Sequence, residues 1–118
     1  MNGKPHYLEI VTHDVDSLCT FYTRTAELQF NGPDGDLGGT RVAELPGGSL
    51  LGVWAPLRND EGPLWRIYLR VDDLDTAVGA ARDAGAEIAV ERMSLGGGHG
   101  DIAIVLHGGV EHGFWQTG

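Results

Sequence analysis

The sequence predicts an α+β protein made of two tandem βαβββ modules, and three observations support this prediction. The stretches 47–54 and 108–115 share one skeleton, which is a Gly-Gly pair, three residues, a glycine, a bulky apolar residue and a tryptophan. Two aspartates at predicted helix starts, Asp14 and Asp73, are separated by nearly the same number of residues as these stretches. Both halves also show the same order of strand and helix patterns, so we expect an internal duplication.

The first module begins with apolar residues that alternate over residues 6–12, as in a half-buried strand. Asp14 is predicted to cap a helix, because its carboxylate can accept hydrogen bonds from the free backbone N–H groups of the first turn. A short strand over residues 28–30 and a hairpin with strands over 40–45 and 49–54 complete the module.

The second module repeats this order with a clearer pattern. Alternation over residues 64–71 predicts a strand, Asp73 is expected to cap the following helix, and Gly85 is expected to end it. Three further strands are predicted over 87–90, 101–106 and 110–116, with a glycine-rich loop at Ser94–Gly100. We therefore expect one domain over residues 1–118, with module one at about 5–55, a linker at 56–63 and module two at about 64–118.

The composition limits the expected partners and compartment. Seventeen acidic against eight basic side chains give a net charge of −9, which repels nucleic acid and anionic membranes, so neither is an expected partner. The single cysteine, Cys19, excludes an intrachain disulfide, and its position on the apolar stripe of the first helix predicts a buried core residue. Residues 1–5 do not have the pattern of a signal peptide, and we expect a cytoplasmic protein.

Several motifs occur in an order and spacing typical of one fold. They are the segment Val11-Thr12-His13-Asp14-Val15-Asp16, a helix that ends in Phe21-Tyr22, the segment Leu69-Arg70-Val71-Asp72-Asp73-Leu74 and the closing strand from Gly109 to Gln116. Together they resemble the glyoxalase, bleomycin-resistance and extradiol-dioxygenase superfamily, also called the vicinal oxygen chelate superfamily. The resemblance implies that the sheets of the two modules curl into a half-open barrel around a central ligand cavity, and that the protein forms a homodimer. It does not fix the activity, because the superfamily includes metal-dependent enzymes and metal-free drug-binding proteins.

Metal-dependent members of the superfamily take one ligand, usually His or Glu, from the first strand and one from the last strand of each module. The resemblance places Tyr7 and Arg66 at the first-strand positions, and Gly52 and Gly113 at the last-strand positions. An arginine stays cationic and a glycine has no side chain, so we expect no metal at this centre and no other cofactor.

A shift of one residue would bring His6 and His112 to the ligand positions instead. Because side chains alternate along a strand, this shift would also turn the apolar Leu8 and Ile10 into the cavity and place the charged Arg66 under a helix. Burying an unpaired charge costs more free energy than burying a few methylenes gains. We therefore predict that His6 and His112 lie on the helix-covered side of the sheet or near strand ends.

With Tyr7 and Arg66 at the first-strand positions, aromatic and charged side chains lie on one face of the sheet. We predict that these side chains bind a ligand. The open space expected beside Gly52 and Gly113 would let a flat ring lie between Trp54 and Trp115, while arginines would hold a carboxylate or phenolate. Two other interpretations stay open, an ordinary solvated sheet face and an ion-pair network that lines the barrel. The predicted ligand-binding residues are Tyr7, Glu9, Gly52, Trp54, Arg66, Tyr68, Arg70, Glu111, Gly113 and Trp115.

Two function classes follow from these expectations. The first is a metal-free protein of the bleomycin-resistance type, which would confer antibiotic resistance by binding an aromatic or peptide-derived natural product. The second is a cofactor-independent isomerase, cyclase or lyase of secondary metabolism, in which Glu9, Tyr7 or Tyr68 would act as general base or acid. Either class has a small molecule as its partner.

Overall fold

The computed structural model describes residues 2–37, 39–56, 60 and 62–118, and it has an α+β fold. The chain divides into two compact units. We call Tyr7–Trp65 the N-terminal unit, and Arg66–Gly118 together with Met1–His6 the C-terminal unit. The module boundaries stay a prediction, and residues 57–59 and 61 of the predicted linker lie outside the described residues.

Three strands and one α-helix account for most of the N-terminal unit. They are β1 (Lys4–Val11, whose first three residues belong to the C-terminal unit), α1 (Val15–Ala26), β2 (Arg41–Glu44) and β3 (Leu50–Trp54), with a 3₁₀ turn at Gly35–Leu37. β1 pairs with β3 in parallel, and β2 pairs with β3 antiparallel.

The short strand predicted over residues 28–30 is reduced to a single bridge between Phe30 and Ala43. The end of α1 explains the difference, because Glu27 has a left-handed φ of 59° and the backbone N–H of Leu28 still bonds to the carbonyl of Tyr22. The backbone N–H of Leu28 is therefore engaged in the end of α1 and is not available for pairing with another strand.

The core of the N-terminal unit lies between its sheet and α1. Ile10, Leu51 and Val53 are buried there with Cys19, and Leu8 packs against them. This confirms the predicted face of each strand, since these side chains alternate with Tyr7, Glu9 and Gly52. Burial of Cys19 raises the pKa of its thiol, as expected for an inert core cysteine.

Four strands and one α-helix form most of the C-terminal unit, in the sheet order β4-β7-β6-β5. β4 pairs with β7 in parallel, and β6 pairs antiparallel with both β7 and β5. The bounds are β4 (Leu64–Arg70, whose first two residues belong to the N-terminal unit), α2 (Leu74–Asp83), β5 (Glu87–Leu95), β6 (Gly100–His107) and β7 (Val110–Gln116).

The glycine-rich loop is shorter than predicted. Ser94 and Leu95 pair with Asp101 and Gly100, so β5 continues beyond residue 90 and the loop is limited to residues 96–99. Irregular register between residues 88 and 93 lets the strand stay paired although its apolar alternation ends, which is why the pattern alone does not reveal its length.

Helix α2 has the caps that its sequence predicts. The Asp73 carboxylate accepts hydrogen bonds from the backbone N–H groups of Asp75 and Thr76, and Gly85 follows the helix with a φ of 95°. Asp14 occupies the corresponding position before α1 but makes no side-chain cap bond. Within the described part of the chain, neither helix is long and apolar enough to cross a membrane.

Candidate functional site

The predicted ligand-binding residues lie on the sheet face opposite the helix in each unit. Four of them, Tyr7, Glu9, Gly52 and Trp54, belong to the N-terminal unit, and the other six belong to the C-terminal unit. Tyr7 and Glu9 are only 3% and 8% exposed. The interpretation as an ordinary solvated sheet face is therefore wrong for this part of the N-terminal unit.

Tyr7 fills the space above Gly52. The strand register places Glu9 directly opposite Gly52, and the Tyr7 side chain reaches over this glycine from two residues earlier on β1. A Cβ at position 52 would overlap the Tyr7 hydroxyl oxygen, and it would lie 2.9 Å from the methyl group of Thr40. Gly52 is thus required by the close approach of the tyrosine, whose side chain fills the space above this glycine.

Tyr68 covers Gly113 in a similar way in the C-terminal unit. These two residues are direct partners in the β4–β7 register. A Cβ at position 113 would overlap the Tyr68 ring, with Cγ and Cε2 both at 2.6 Å. The expectation that glycines leave open spaces for a flat ligand ring is wrong at both positions, because tyrosine side chains of the chain itself occupy those spaces.

Trp115 is held on three sides within the C-terminal unit. Its ring meets the Tyr68 ring edge-on at a centroid distance of 5.7 Å, and the His6 ring at 4.9 Å. Its indole N–H donates a hydrogen bond of 2.8 Å to the backbone carbonyl of His99 in the glycine-rich loop. Trp115 is 3% exposed, so its ring is buried by the neighbouring side chains of this sheet face.

An ion pair lies on the same face of the C-terminal unit. The Arg66 guanidinium donates to the Glu111 carboxylate at 2.8 Å, and the two side chains are 12% and 39% exposed. The interpretation of the charged residues as an ion-pair network agrees with this contact. Arg70 is exposed at the other end of β4.

Sequence reasoning missed three residues that contribute to these faces. Thr40 packs against Gly52, and the backbone carbonyl of His99 accepts the hydrogen bond of Trp115. His6 lies near the start of β1, one of its two predicted placements, and packs against the Trp115 ring. Burial, followed by the positive charges of Arg70 and Lys4, lowers the pKa of His6. Thr40 lies outside the regular strands, where alternation gives no information on side-chain direction, and the contribution of His99 is a backbone carbonyl, which no side-chain pattern reveals.

The four positions that the family resemblance assigns to metal ligands do not fit a metal ion. Gly52 and Gly113 are covered by tyrosine rings, so no side chain could be added there without displacing them. The other two positions hold Tyr7 and the ion-paired Arg66. Among the described residues, no group of three or more His, Cys, Asp or Glu side chains is arranged to hold a metal.

The sequence matches no family model and no curated protein. Solved structures resemble it closely in three dimensions. A hypothetical protein from Bacillus halodurans C-125 has a TM-score of 0.76 and 17% identity, covering 98% of this chain and 95% of that one. The methylmalonyl-CoA epimerase of Mycobacterium tuberculosis has a TM-score of 0.75 and 20% identity, with coverage of 98% and 88%.

A methylmalonyl-CoA epimerase in complex with methylmalonyl-CoA and NH4+ matches with a TM-score of 0.73 and 21% identity, covering 99% of this chain and 96% of that one. The chain shares its fold with these epimerases. These epimerases belong to the vicinal oxygen chelate superfamily, and the α+β fold of the chain agrees with theirs. The two tandem modules and the half-open barrel stay predictions. At this level of identity the likeness extends to the fold alone, because one fold supports many activities.

Proposed function

We propose that the protein binds an organic small molecule without a metal ion, as bleomycin-resistance proteins do. The observation that carries this proposal is the pair of tyrosine-covered glycines. Where metal-dependent relatives place ligands on the last strand of each module, this chain has Gly52 under Tyr7 and Gly113 under Tyr68. The residues there suit van der Waals and hydrogen-bond contact with an organic molecule better than metal coordination.

The side chains around these glycines indicate the chemistry of the ligand. Trp54 is partly exposed on the face of the N-terminal unit, and an indole is a good surface for a flat ring. The Arg66–Glu111 pair offers a guanidinium that would hold a carboxylate or phenolate. We therefore propose an aromatic or peptide-derived natural product with an anionic group.

Four further parts of the proposal rest on the sequence and the family resemblance. We propose that two tandem modules form a half-open barrel around a ligand cavity and that the protein is a homodimer. We also propose that it is cytoplasmic and has a role in antibiotic resistance. The net charge of −9 argues against nucleic acid and anionic membranes as partners.

Tryptophan fluorescence tests the proposal directly. We would use a Trp65→Phe variant, because the Trp65 side chain is 56% exposed and would add a signal from outside the predicted site. Titration with metal-free bleomycin, 1-naphthoate and propionyl-CoA is expected to quench or shift the remaining emission at saturating concentration for at least one compound. An unchanged spectrum with all three would contradict the proposal.

The second candidate is a cofactor-independent isomerase, and the structural likeness to methylmalonyl-CoA epimerases favours it. Glu9 is a buried carboxylate on the predicted ligand face, and a buried carboxylate is a common general base. Incubation with methylmalonyl-CoA in D2O would show exchange of the α-proton by NMR if this candidate is right. Exchange should disappear in Glu9→Gln, and exchange that is equally fast in Glu9→Gln would exclude Glu9 as the base.

A further inference from the structure

Arg70 differs from most other arginines of the described chain. Four of these form an ion pair with a carboxylate, namely Arg41, Arg66, Arg82 and Arg92. Arg24 forms none among the described residues, but it lies in the last turn of α1, where the helix carbonyls favour a positive charge. Arg70 is exposed and likewise forms no ion pair with a described residue, although Asp72 lies near enough for their charges to interact.

Two further basic groups lie close to Arg70 in the C-terminal unit. The β4–β7 register places Arg70 directly opposite Trp115, and the His6 ring meets the Trp115 ring edge-on at a centroid distance of 4.9 Å. The positive charges of Arg70 and Lys4 both act on the His6 ring. We call Lys4, His6 and Arg70 the basic cluster.

The basic cluster is unexpected in a chain with a net charge of −9. Positive charges that lie near one another repel, and an anion placed among them would remove this repulsion. The exposed Arg70 can be reached by such an anion from solvent. The Arg66 side chain, in contrast, is 12% exposed and already shares its charge with Glu111. Arg70 is therefore better placed than Arg66 to receive the full charge of an anion.

His6 adds a group that can change its charge when the anion arrives. Burial, followed by the positive charges of Arg70 and Lys4, holds the pKa of His6 below its ordinary value, so the ring of the free protein is mostly neutral at pH 7. A negative charge beside the ring would oppose this effect, because it stabilises the protonated imidazole.

We infer that the anionic group of the bound molecule lies between Arg70 and His6, and that His6 takes up a proton from solvent as the anion binds. The inference rests on the proposed function and makes it more specific, because it places the anion in the C-terminal unit and couples binding to pH. The protonated ring nitrogen of His6 then donates to the anion beside the Arg70 guanidinium.

Two probes with the same ring test the placement of the anion. The probe 1-naphthoate carries a carboxylate, whereas 1-naphthylmethanol has the same ring without a charge. Arg70→Gln should weaken binding of 1-naphthoate about three- to tenfold, because an exposed charge-assisted contact is lost, and change binding of 1-naphthylmethanol less than about twofold. Arg24→Gln is the matched control, since it removes the same charge from the end of α1, and it should bind both probes like wild type.

NMR reports the protonation of His6 itself. The ring signals of the five histidines are followed between pH 5.5 and 8, and those of His6 are assigned with the His6→Gln variant. Saturating 1-naphthoate should raise the pKa of His6, because the bound carboxylate stabilises the imidazolium. The uncharged 1-naphthylmethanol should leave the pKa of His6 unchanged.

Proton uptake also predicts how the affinity depends on pH. Wild type should bind 1-naphthoate at least about threefold more tightly at pH 5.5 than at pH 7.5, since protonation of His6 and binding of the anion favour each other. In His6→Gln this gain should fall below about twofold. His112→Gln is the matched control and should keep the wild-type gain, because the His112 ring lies at the β6–β7 turn, where it contacts the carbonyl of His107.

The outcomes separate this inference from the proposed function. If wild type binds 1-naphthoate but Arg70→Gln binds it equally well, or if the pKa of His6 does not rise, the inference is wrong and the binding function stands. If wild type binds metal-free bleomycin but neither 1-naphthoate nor propionyl-CoA, the inferred anion site is wrong in the same way. If wild type binds none of these compounds, the proposed function fails, and the inference fails with it.

Discussion

Glycines 52 and 113 are the residues whose role changes most between sequence and structure. Their spacing identifies the repeated skeleton, and the side chains that lie above them explain why the residue is glycine. Each is a position where a tyrosine ring approaches the backbone more closely than any Cβ would allow.

Replacement of Gly113 by alanine should therefore destabilise the protein. The new methyl group would overlap the Tyr68 ring in a packed site, and overpacking of this kind costs about 1–3 kcal/mol of unfolding free energy. Urea denaturation measures the loss. The matched control is Gly79→Ala, because a Cβ there meets nothing within 4 Å and alanine favours the interior of α2 by roughly 0.8–1 kcal/mol. Equal stability of Gly113→Ala and wild type would show that Tyr68 does not occupy this space.

His6 should make the stability of the protein depend on pH. Burial, then Arg70 and Lys4, lowers its pKa below the ordinary value of 6.5, so the unfolded chain binds this proton more readily than the folded one. The stability that neutral His6 contributes is complete above about pH 6.5 and is lost as the pH falls through the lowered pKa.

Urea denaturation between pH 7.5 and 5.5 tests whether stability falls as the pH is lowered. Wild type should lose more stability over this interval than His6→Gln does, and Arg70→Gln should have an intermediate slope, since one of the causes of the shift is removed. A His6→Gln variant with the full wild-type slope would assign the pH dependence to other groups.

The residue scale also shows the limit of sequence reasoning about the site. Alternation places Tyr7, Glu9 and Tyr68 on the face opposite the helices, and the burial of Ile10 under α1 confirms this for Tyr7 and Glu9, which alternate with it on β1. Alternation cannot predict where a ring comes to lie above its strand, because that depends on side-chain torsions and on neighbouring strands. For this reason the glycines were expected to leave space that the tyrosines in fact fill.

At the scale of elements, the aspartates before the two helices, Asp14 and Asp73, can be compared directly as helix caps. The Asp73 carboxylate accepts hydrogen bonds from the backbone N–H groups of Asp75 and Thr76. The Asp14 carboxylate makes no such cap bond, and the Asp14 backbone N–H donates to the Thr12 hydroxyl. Asp73→Ala should cost about 1 kcal/mol of unfolding free energy, and Asp14→Ala should cost clearly less. Urea denaturation of both variants makes the comparison. Equal losses would mean that the Asp73 bonds contribute nothing beyond the charge near the helix start.

The strands show which elements a pattern can predict. β4, α2 and the hairpin about Gly108 follow from alternation, capping residues and a Gly-Gly turn, which are all local signals. The bridge at Phe30 and the continuation of β5 to Leu95 depend on pairing with a neighbouring strand of the sheet. Sequence alone could not supply that information, because an edge strand is stabilised by its neighbour as much as by its own residues.

At the scale of the whole molecule, the fold is shared with methylmalonyl-CoA epimerases while the proposed chemistry differs from that of metal-dependent relatives. A fold supplies a scaffold, and its site residues decide what it does. The site residues proposed here are tyrosines over glycines, an arginine–glutamate pair and two tryptophans. The central claim is that these side chains bind an organic molecule without help from a metal ion.

Removal of metal tests that claim most directly. Protein treated with EDTA and dialysed into metal-free buffer would be titrated with 1-naphthoate by calorimetry, and the titration repeated after addition of Zn²⁺, Mn²⁺ or Co²⁺. The account predicts the same dissociation constant, within about twofold, in all four samples, because no described group of side chains is arranged to hold a metal. Binding that is absent from the EDTA-treated protein and restored by one of these ions would contradict it.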